Sequence, residues 1–431
     1  MDFHHSPKAQ ALCQQLEAFM QQYLLPYNAA WHHSVQQGVY PPPFLEDLKA
    51  LAREEGLWNL FLPGLRADEP GTCLGNLDYA PLAEIMGRLP WVAEVFNCSA
   101  PDTGNMELLN RFATPRQHAQ WLLPLMEGRI RSAFAMSEPD VASSDPTNLQ
   151  TTVRREGGQL VLNGRKWFIT GAAHPHCRLL IVMCRNDEAQ GEGEPTGAHH
   201  RHSMVLVPMD TPGVQVVRNI AVLHHHAAEG HCEILLRDVR VPDDHVLGGW
   251  GEGFAMAQAR LGPGRVHHCM RSIGQCELAL ALASERTLER QAFGKYLSDF
   301  SNVQEWIAES RLEIDQARLL VLQAAWALDQ GTAEPAQLRA QVAGIKVVVA
   351  RLQTRVVDRA MQIFGAMGLS PDTPLAYFWS WGRALQLMDG PDEVHLRTVA
   401  RHELARARAR RGATAAYFTT PEQLQASPRI R

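Results

Sequence analysis

Two segments in the first half of the chain carry side chains suited to holding an anion or the edge of a polar ring. Phe134–Asp145 reads FAMSEPDVASSD, a loop in which serine hydroxyls accompany successive backbone N–H groups. Leu162–Ala172 reads LNGRKWFITGA and ends on the aromatic pair Trp167 and Phe168, followed by Thr170. Taken singly, these segments are explained equally well as a capped turn and a pair of core aromatic side chains.

Basic side chains follow a G-P-G-R sequence at 262–265. This pattern is typical of a helix N-terminus, where proline fits the first turn and free N–H groups favour phosphate. His267, His268 and Arg271 come next, and side chains three or four positions apart share one helix face. The segment therefore predicts either an anion site at a helix start or a group of core or interface histidines.

The chain contains 19 histidines, and some of them are grouped. His224, His225 and His226 are consecutive, and another run lies at 199–202 in a polar stretch typical of a solvated loop between strands. Neutral imidazole is a common metal ligand, but adjacent side chains of an extended segment face opposite sides. The three consecutive histidines are therefore not expected to converge on one ion, and the sequence predicts no metal site.

Several frequent catalytic signatures are missing from the sequence. No G-x-G-x-x-G follows a strand and no G-x-x-x-x-G-K-S/T occurs, so two common nucleotide-binding devices are absent. Neither G-x-S-x-G nor H-E-x-x-H is present, which leaves hydrolase and zinc-peptidase interpretations without their usual support.

The periodicity of apolar residues divides the chain into three parts, and the fold class predicted is α+β. Residues 1–130 are expected to form an N-terminal helical domain and residues 131–250 a middle β domain, a barrel or sandwich of about seven strands with a Gly-Gly hairpin. Residues 251–431 are expected to form a C-terminal four-helix bundle with a basic tail. The four helices are predicted over 265–290, 301–330, 335–364 and 383–410.

Composition restricts the class of protein. The chain has 431 residues, of which 45% are hydrophobic and 20% charged, as in ordinary globular proteins. A net charge of −5 gives no overall basic footprint for nucleic acid. No apolar run approaches the ~20 residues that span a bilayer, and no secretory signal is evident, so we expect a cytoplasmic location. The eight cysteines form no C-x-x-C pair and are expected to be reduced and mostly buried.

Taken together and in this order, five segments resemble the acyl-CoA dehydrogenase family of flavoenzymes. The family pattern is S/T-E-P-x-A-G-S-D, N-G-x-K-x-W-I-T, E-R-x-x-F-G-K, Q-x-x-G-G-x-G and a final E-G-T/P. The matching segments are Ser137–Asp145, Asn163–Thr170, Glu289–Lys295 (ERQAFGK), Gln362–Gly368 (QIFGAMG) and Asp389–Pro391 (DGP). Among the departures, Phe168 replaces a tryptophan and Asp389 replaces the catalytic glutamate. These features are similar to the branch of family members ten and eleven and their bacterial relatives.

The resemblance implies FAD-dependent α,β-dehydrogenation of an acyl-CoA thioester, with electron-transfer flavoprotein as the electron acceptor. Asp389 would be the catalytic base, and its backbone N–H would donate to the thioester carbonyl. The alternatives are a plain medium-to-long-chain acyl-CoA dehydrogenase, an acyl-CoA oxidase, or a flavin and acyl-CoA binding protein without net dehydrogenation. A surface aspartate in a turn before Gly390 is the structural alternative for Asp389.

The resemblance also implies which residues contact FAD and which contact the substrate. Arg290, Phe293, Gln362, Gly365 and Ala366 match positions that reach the FAD of a neighbouring subunit, so a homodimer or homotetramer is expected. The remaining FAD contacts are expected from Phe134, Met136, Ser137, Ser144, Trp167, Phe168, Ile169, Thr170, Pro391, Asp392 and Glu393. Substrate contacts are expected from Ser144, Gly262, Arg265, His267, His268, Arg271 and Gly390.

Relatives in this branch are associated with 4-hydroxy-acid breakdown, in which a 4-phosphorylated acyl-CoA loses its phosphate. A substrate of that kind requires basic groups in the acyl pocket. His267, His268 and Arg271 are the residues that we expect to supply them, with core or interface histidines as the alternative.

Overall fold

The protein is described here as a computed structural model, which covers residues 4–62, 65, 69–187 and 200–421. Its N-terminal part is helical, and the first helix begins where Ser6 Oγ accepts a hydrogen bond from the N–H of Ala9. Leu16 and Phe19 of this helix are buried in the core. The helices are α1 (Pro7–Phe19), α2 (Asn28–Gln36), α3 (Leu45–Glu54), α4 (Asn76–Gly87), α5 (Asp102–Phe112), α6 (Pro115–Gln117) and α7 (Leu123–Met126).

Among its described residues, the middle part forms a mixed sheet of eight strands, close to the seven or so that the sequence pattern predicts. The strands are β1 (Arg131–Ala135), β2 (Thr152–Glu156), β3 (Gln159–Thr170), β4 (Cys177–Asn186), β5 (His202–Pro208), β6 (Val214–Asn219), β7 (His231–Pro242) and β8 (Val246–Leu247). The predicted hairpin is confirmed, since β2 and β3 pair antiparallel across Gly157 and Gly158, which both have positive φ. β3 also pairs antiparallel with β7, whereas β1 runs parallel to β4.

The C-terminal part is helical, with a short hairpin after its first helix. The helices are α8 (Gly253–Glu289), α9 (Ser301–Gln330), α10 (Pro335–Phe364), α11 (Leu375–Leu385) and α12 (Asp392–Ala409). The hairpin strands are β9 (Gln291–Ala292) and β10 (Lys295–Tyr296). The expected order of a helical part, a β part and a second helical part is therefore confirmed.

Two predicted helix boundaries are wrong, and both errors fall on residues expected to carry function. α8 begins at Gly253, so Pro263 lies inside the helix and Arg265 follows it there, rather than at an N-terminus with free N–H groups. The helix predicted over 383–410 is interrupted between α11 and α12. Asp389 and Gly390 lie in this interruption with φ of 54° and 99°, values that a continuous right-handed helix does not allow.

Helix α8 connects the two helical parts. It packs against α4 and α5 of the N-terminal part and against α9 and α10 of the C-terminal part. One apolar cluster runs through both parts and includes Tyr79 of α4 and Val266 of α8, whereas a second cluster fills one face of the sheet. Side chains on one face of α8 therefore contact the N-terminal part, and those on another face contact the C-terminal part.

The histidines, the cysteines and the basic C-terminal segment bear on the remaining expectations. His202 is buried at the start of β5 and not in a solvated loop, while His199 lies outside the described residues. All eight cysteines are free and six of them are buried, which confirms that expectation. The basic segment after His402 is exposed as far as Pro421. No described helix is both long and apolar enough to cross a membrane, and no described group of acidic, histidine and cysteine side chains is arranged to hold a metal.

Candidate active site

The two polar segments identified in the sequence lie side by side in the structure. The N–H of Trp167 donates to the carbonyl of Ser137 at 3.0 Å, which joins the end of β3 to the loop after β1. Lys166 is fully buried beneath this junction, and its Nζ donates to Met136 O at 3.0 Å and to Glu138 Oε1 at 2.8 Å. The structure thus brings together predicted site residues that are 30 positions apart in the chain.

The serine loop is held by its own acidic residue. The Glu138 carboxylate accepts hydrogen bonds from the backbone N–H groups of Gln150 and Thr151, at 2.6 Å and 3.0 Å. The N–H of Glu138 donates to Ser143 Oγ at 2.9 Å, which closes the loop. Although burial raises the pKa of Glu138, the Lys166 charge and these hydrogen bonds outweigh burial and lower it. Glu138 is therefore a structural anion.

The end of β3 presents an aromatic ring and a hydroxyl. Phe168 has a left-handed backbone conformation and remains 43% exposed, while Ile169 is buried. Thr170 Oγ1 lies 2.9 Å from His231 Nδ1 of the neighbouring strand β7. An accessible ring beside serine and threonine hydroxyls suits a flavin, which combines an aromatic face with a polar edge. The residues predicted to hold FAD here fit that group.

Asp389 occupies the left-handed turn between α11 and α12. Its backbone carbonyl accepts hydrogen bonds from Arg265 Nε at 2.9 Å and from His395 Nε2 at 3.2 Å. A Cβ at Gly390 would lie 3.0 Å from His395 Nε2, so glycine both permits the positive φ and leaves room for this donor. Burial lowers the pKa of His395 to about 4, so its ring is neutral near pH 7 and donates its single N–H to the carbonyl.

The carboxylate of Asp389 faces His268 and two arginines of α8. Its Oδ2 lies 3.4 Å from His268 Nε2, and its side chain remains 27% exposed. Burial raises the pKa of Asp389, but hydrogen bonding to His268 and the charges of Arg260 and Arg265 outweigh burial and hold the pKa below its usual range. Asp389 is therefore ionised at neutral pH and stands at an accessible position, as a proton acceptor requires.

The histidine pair on α8 divides between two environments. His267 is buried against the rings of Phe61 and Tyr79, and burial lowers its pKa to about 3. Its Nε2 lies 3.3 Å from Asn76 Oδ1. The substrate contact predicted for His267 is therefore not supported, because one residue along a helix turns the side chain by about 100°. The residue that faces Asp389 is His268.

Arg271 pairs with His268 and not with His267. Its Nη2 lies 3.0 Å from His268 Nδ1, and the two residues are three positions apart on α8. The Nη1 of Arg271 is buried and has no hydrogen-bond partner among the described residues. A buried guanidinium donor without a partner is costly, so this atom is suited to an acceptor from a bound molecule.

Three further residues belong to the site and were not predicted from the sequence. Arg260 lies with its guanidinium 4.1 Å from the ring centroid of Phe134 and donates to Asn105 Oδ1 at 2.9 Å. Lys346 is fully buried in α10 and donates to the backbone carbonyl of Leu385. His395 is the third. One available signal was a lysine inside the apolar run 345–350 of α10, since a buried lysine needs a specific partner.

Several predicted FAD contacts lie on other elements. Phe293, at the turn of the β9–β10 hairpin, is 99% exposed, and Ala366 follows the end of α10. Asp392 is the first residue of α12, a buried carboxylate paired with Arg351 Nε at 2.8 Å, while Glu393 is exposed. Because it is so exposed, the Phe293 side chain does not contribute to packing within its own subunit.

Family models match almost the whole chain. Residues 6–129 match the N-terminal domain of acyl-CoA dehydrogenases, residues 133–239 the middle domain and residues 251–404 the C-terminal domain. The chain belongs to the acyl-CoA dehydrogenase family. It is accordingly an FAD-dependent oxidoreductase, and the predicted family, fold, enzyme class and cofactor are confirmed.

Individual relatives place this acyl-CoA dehydrogenase in the predicted branch. It is 50% identical over 416 residues to the probable acyl-CoA dehydrogenase FadE2 of Mycobacterium tuberculosis, covering 95% of this chain and 98% of that one. It is 48% identical to acyl-CoA dehydrogenase family member 10 of mouse, and 45% identical to family member 11 of chicken. Each of these matches covers 93% of this chain but only 37% and 51% of the longer animal proteins, respectively.

Solved structures support the family assignment. A Mycobacterium abscessus protein assigned to the acyl-CoA dehydrogenases is 46% identical, with a TM-score of 0.86. The match covers 94% of this chain and 99% of that chain. The butyryl-CoA dehydrogenase of Megasphaera elsdenii is 26% identical, with a TM-score of 0.77 over 94% of this chain and 100% of that one.

Proposed function

We propose that this enzyme removes hydrogen from the Cα–Cβ bond of an acyl-CoA thioester and that Asp389 is the base that takes the α-proton. The observation that carries the proposal is the left-handed turn at Asp389, whose carbonyl is held from α8 and α12 while its carboxylate stays accessible. When bound, FAD supplies a hydride acceptor for the β-hydrogen. Proton removal and binding of the thioester carbonyl are carried out by the chain's own residues.

Asp389 must be ionised before it reacts and must be a sufficiently strong base when it does. The surrounding cations ensure the first condition, since they hold its pKa low. An acyl chain that displaces water from around Asp389 would supply the second, because desolvation disfavours the carboxylate and raises its pKa. The backbone N–H of Asp389 is the proposed donor to the thioester carbonyl, where negative charge develops as the α-proton leaves.

The flavin is proposed to lie against the junction of the serine loop and β3. Phe134, Met136 and Ser137 would contact its pyrimidine side, Ser144 would lie near flavin or CoA, and Phe168, Ile169 and Thr170 would cover the reactive side. Electron-transfer flavoprotein is the proposed acceptor of the electrons. Arg290, Phe293, Gln362, Gly365 and Ala366 are proposed to complete the FAD site of a second subunit in a homodimer or homotetramer.

The acyl group is proposed to carry an anionic substituent, in the form of a 4-phosphate. Arg260, Arg265 and Lys346 are all near Asp389, so cations outnumber the carboxylate that they surround. Arg271 adds the buried Nη1 donor, which has no partner among the described residues, and contacts the Asp389 carboxylate through His268. A phosphate would satisfy this donor and balance the charge.

Anaerobic bleaching of the flavin tests both the proposed reaction and the proposed substituent of the acyl group. The FAD-loaded protein should bleach with an acyl-CoA substrate, and Asp389→Asn should retain FAD but lose bleaching. Unsubstituted, 4-hydroxy and 4-phospho acyl-CoAs of matched length then compare substituents, and the 4-phospho compound should bleach the flavin at the lowest concentration. Bleaching by unsubstituted chains alone would favour a plain medium-to-long-chain dehydrogenase. No bleaching with any of them would favour a flavin and acyl-CoA binding protein.

A further inference from the structure

Arg271, His268 and Asp389 form a chain of polar contacts that ends on the proposed base. The first link joins Arg271 Nη2 to His268 Nδ1 at 3.0 Å, and the second joins His268 Nε2 to Asp389 Oδ2 at 3.4 Å. His268 also lies near the ring of Trp381 on α11, with centroids 6.4 Å apart. The histidine ring is thus held between a cation on one side and a carboxylate on the other.

The direction of the first link follows from the chemistry of arginine. A guanidinium has only donors, so Nδ1 of His268 must be the acceptor and cannot carry a proton. Burial lowers the pKa of His268, which keeps the ring neutral with one N–H. That proton must be on Nε2, where it points toward Asp389 Oδ2.

We infer that Arg271 is a positioning residue that fixes the tautomer of His268, and that His268 in turn orients the Asp389 carboxylate for α-proton removal. With Oδ2 engaged by His268, Oδ1 is the oxygen that takes the proton. The inference rests on the proposed function, because it takes Asp389 to be the base of that reaction. The contact with His268 would set the orientation of a carboxylate that lies one methylene closer to the backbone than that of a glutamate.

The pH dependence of the base reflects every charged group that faces it. Arg260, Arg265 and His268 approach from α8, Lys346 from α10, and His395 from α12. Glu107 of α5 acts through Arg260, and burial raises its pKa to about 8. Of these groups, His268 is the one whose ring N–H lies against the Asp389 carboxylate, at 3.4 Å, so removing it should raise the pKa of Asp389.

The experiment compares Arg271→Met, His268→Leu and the double variant H268L/R271M, each loaded with FAD. The probe is a 3-thia-acyl-CoA, whose α-proton can be removed but whose sulfur at position 3 has no hydride to transfer. The pH midpoint of the long-wavelength band formed on α-deprotonation reports the base directly. The rate of anaerobic bleaching is measured beside it with an acyl-CoA that lacks a 4-phosphate, so that the phosphate contact proposed for Arg271 does not enter the comparison.

Both single variants should bleach about 10–100-fold more slowly than the wild type, as expected for a slightly misplaced base. Both should also move the pH midpoint upward. Because Arg271 acts through His268, the double variant should match H268L within about twofold, which is a strongly non-additive result. A double variant whose loss equals the product of the two single losses, or an unchanged midpoint in R271M, would overturn the inference.

Matched variants separate this role from packing. Arg271→Lys keeps a side chain that can only donate, whereas Arg271→Gln can present a donor or an acceptor to Nδ1. The R271K variant should therefore bleach faster than the R271Q variant. Arg311→Met removes a partly buried arginine that instead pairs with Glu277 of α8, and it should keep the wild-type midpoint. A wild-type protein that does not bleach would contradict the proposed function. Equal bleaching rates in R271Q and R271K would contradict the positioning role alone.

Discussion

Arg265 Nε donates to the backbone carbonyl of Asp389 at 2.9 Å and so ties the middle of α8 to a turn 124 residues later. His395 reaches the same carbonyl from the first turn of α12. Two donors on one carbonyl fix the plane of the peptide that follows Asp389, and with it the left-handed turn. The helix start predicted at Arg265 is wrong, since its Nε donates to the backbone of the base from inside α8, and its predicted substrate contact stays a prediction.

Loss of this carbonyl contact should slow proton removal more than it weakens binding. Arg265→Met should reduce the single-turnover bleaching rate about 100-fold, the cost of shifting a reacting group by about 1 Å. His395→Leu should have a similar effect, whereas His395→Gln retains an N–H donor and should lose less. FAD content should stay near the wild-type value in all three. Wild-type rates in R265M and H395L together would contradict a role in positioning the base.

The sequence was sufficient for the order of the three parts and for the serine loop, because those depend on local periodicity and on contiguous motifs. It was not sufficient for the side chains around Asp389. Pro263 and two glycines at 262–264 are typical of a helix start, yet α8 begins at Gly253 and passes through them because packing on both sides stabilises it. His267 and His268 are indistinguishable in sequence, and only the rotation of α8 assigns one to the core.

Lys166 should be needed for both stability and FAD binding. It is buried against Glu138 and two backbone carbonyls, so Lys166→Met leaves Glu138 as an unpaired buried charge, at a cost of about 3–5 kcal/mol. The serine loop would then lose its anchor, and the affinity for FAD should fall. Urea unfolding and FAD titration measure the two effects. The destabilisation of the double variant K166M/E138Q should be smaller than the sum of the losses in K166M and E138Q, and purely additive losses would argue against the ion pair as the cause.

His267 should make the protein less stable in mild acid. Burial holds its pKa in the folded state at about 3, below the unfolded value of 6.5, so the unfolded state binds the extra proton. This contribution to stability is fully present above pH 6.5 and is lost as pH falls, by about 1.4 kcal/mol per unit toward pH 3. His267→Gln should give a shallower dependence of unfolding free energy on pH between 6.5 and 4. The exposed His33→Gln is the control and should keep the wild-type slope.

Phe293 offers a test of whether each FAD site is completed by a second subunit. Its ring is 99% exposed, so Phe293→Ala should leave the unfolding free energy of the flavin-free subunit unchanged while lowering FAD affinity. Mixing inactive Asp389→Asn subunits with F293A subunits then gives a sharper result. In a hybrid, one site has both lesions, but the other combines an intact Asp389 with an intact Phe293 from its neighbour. Bleaching at limiting FAD should therefore recover after subunit exchange, whereas a site built from one chain would give only the sum of the two separate variants.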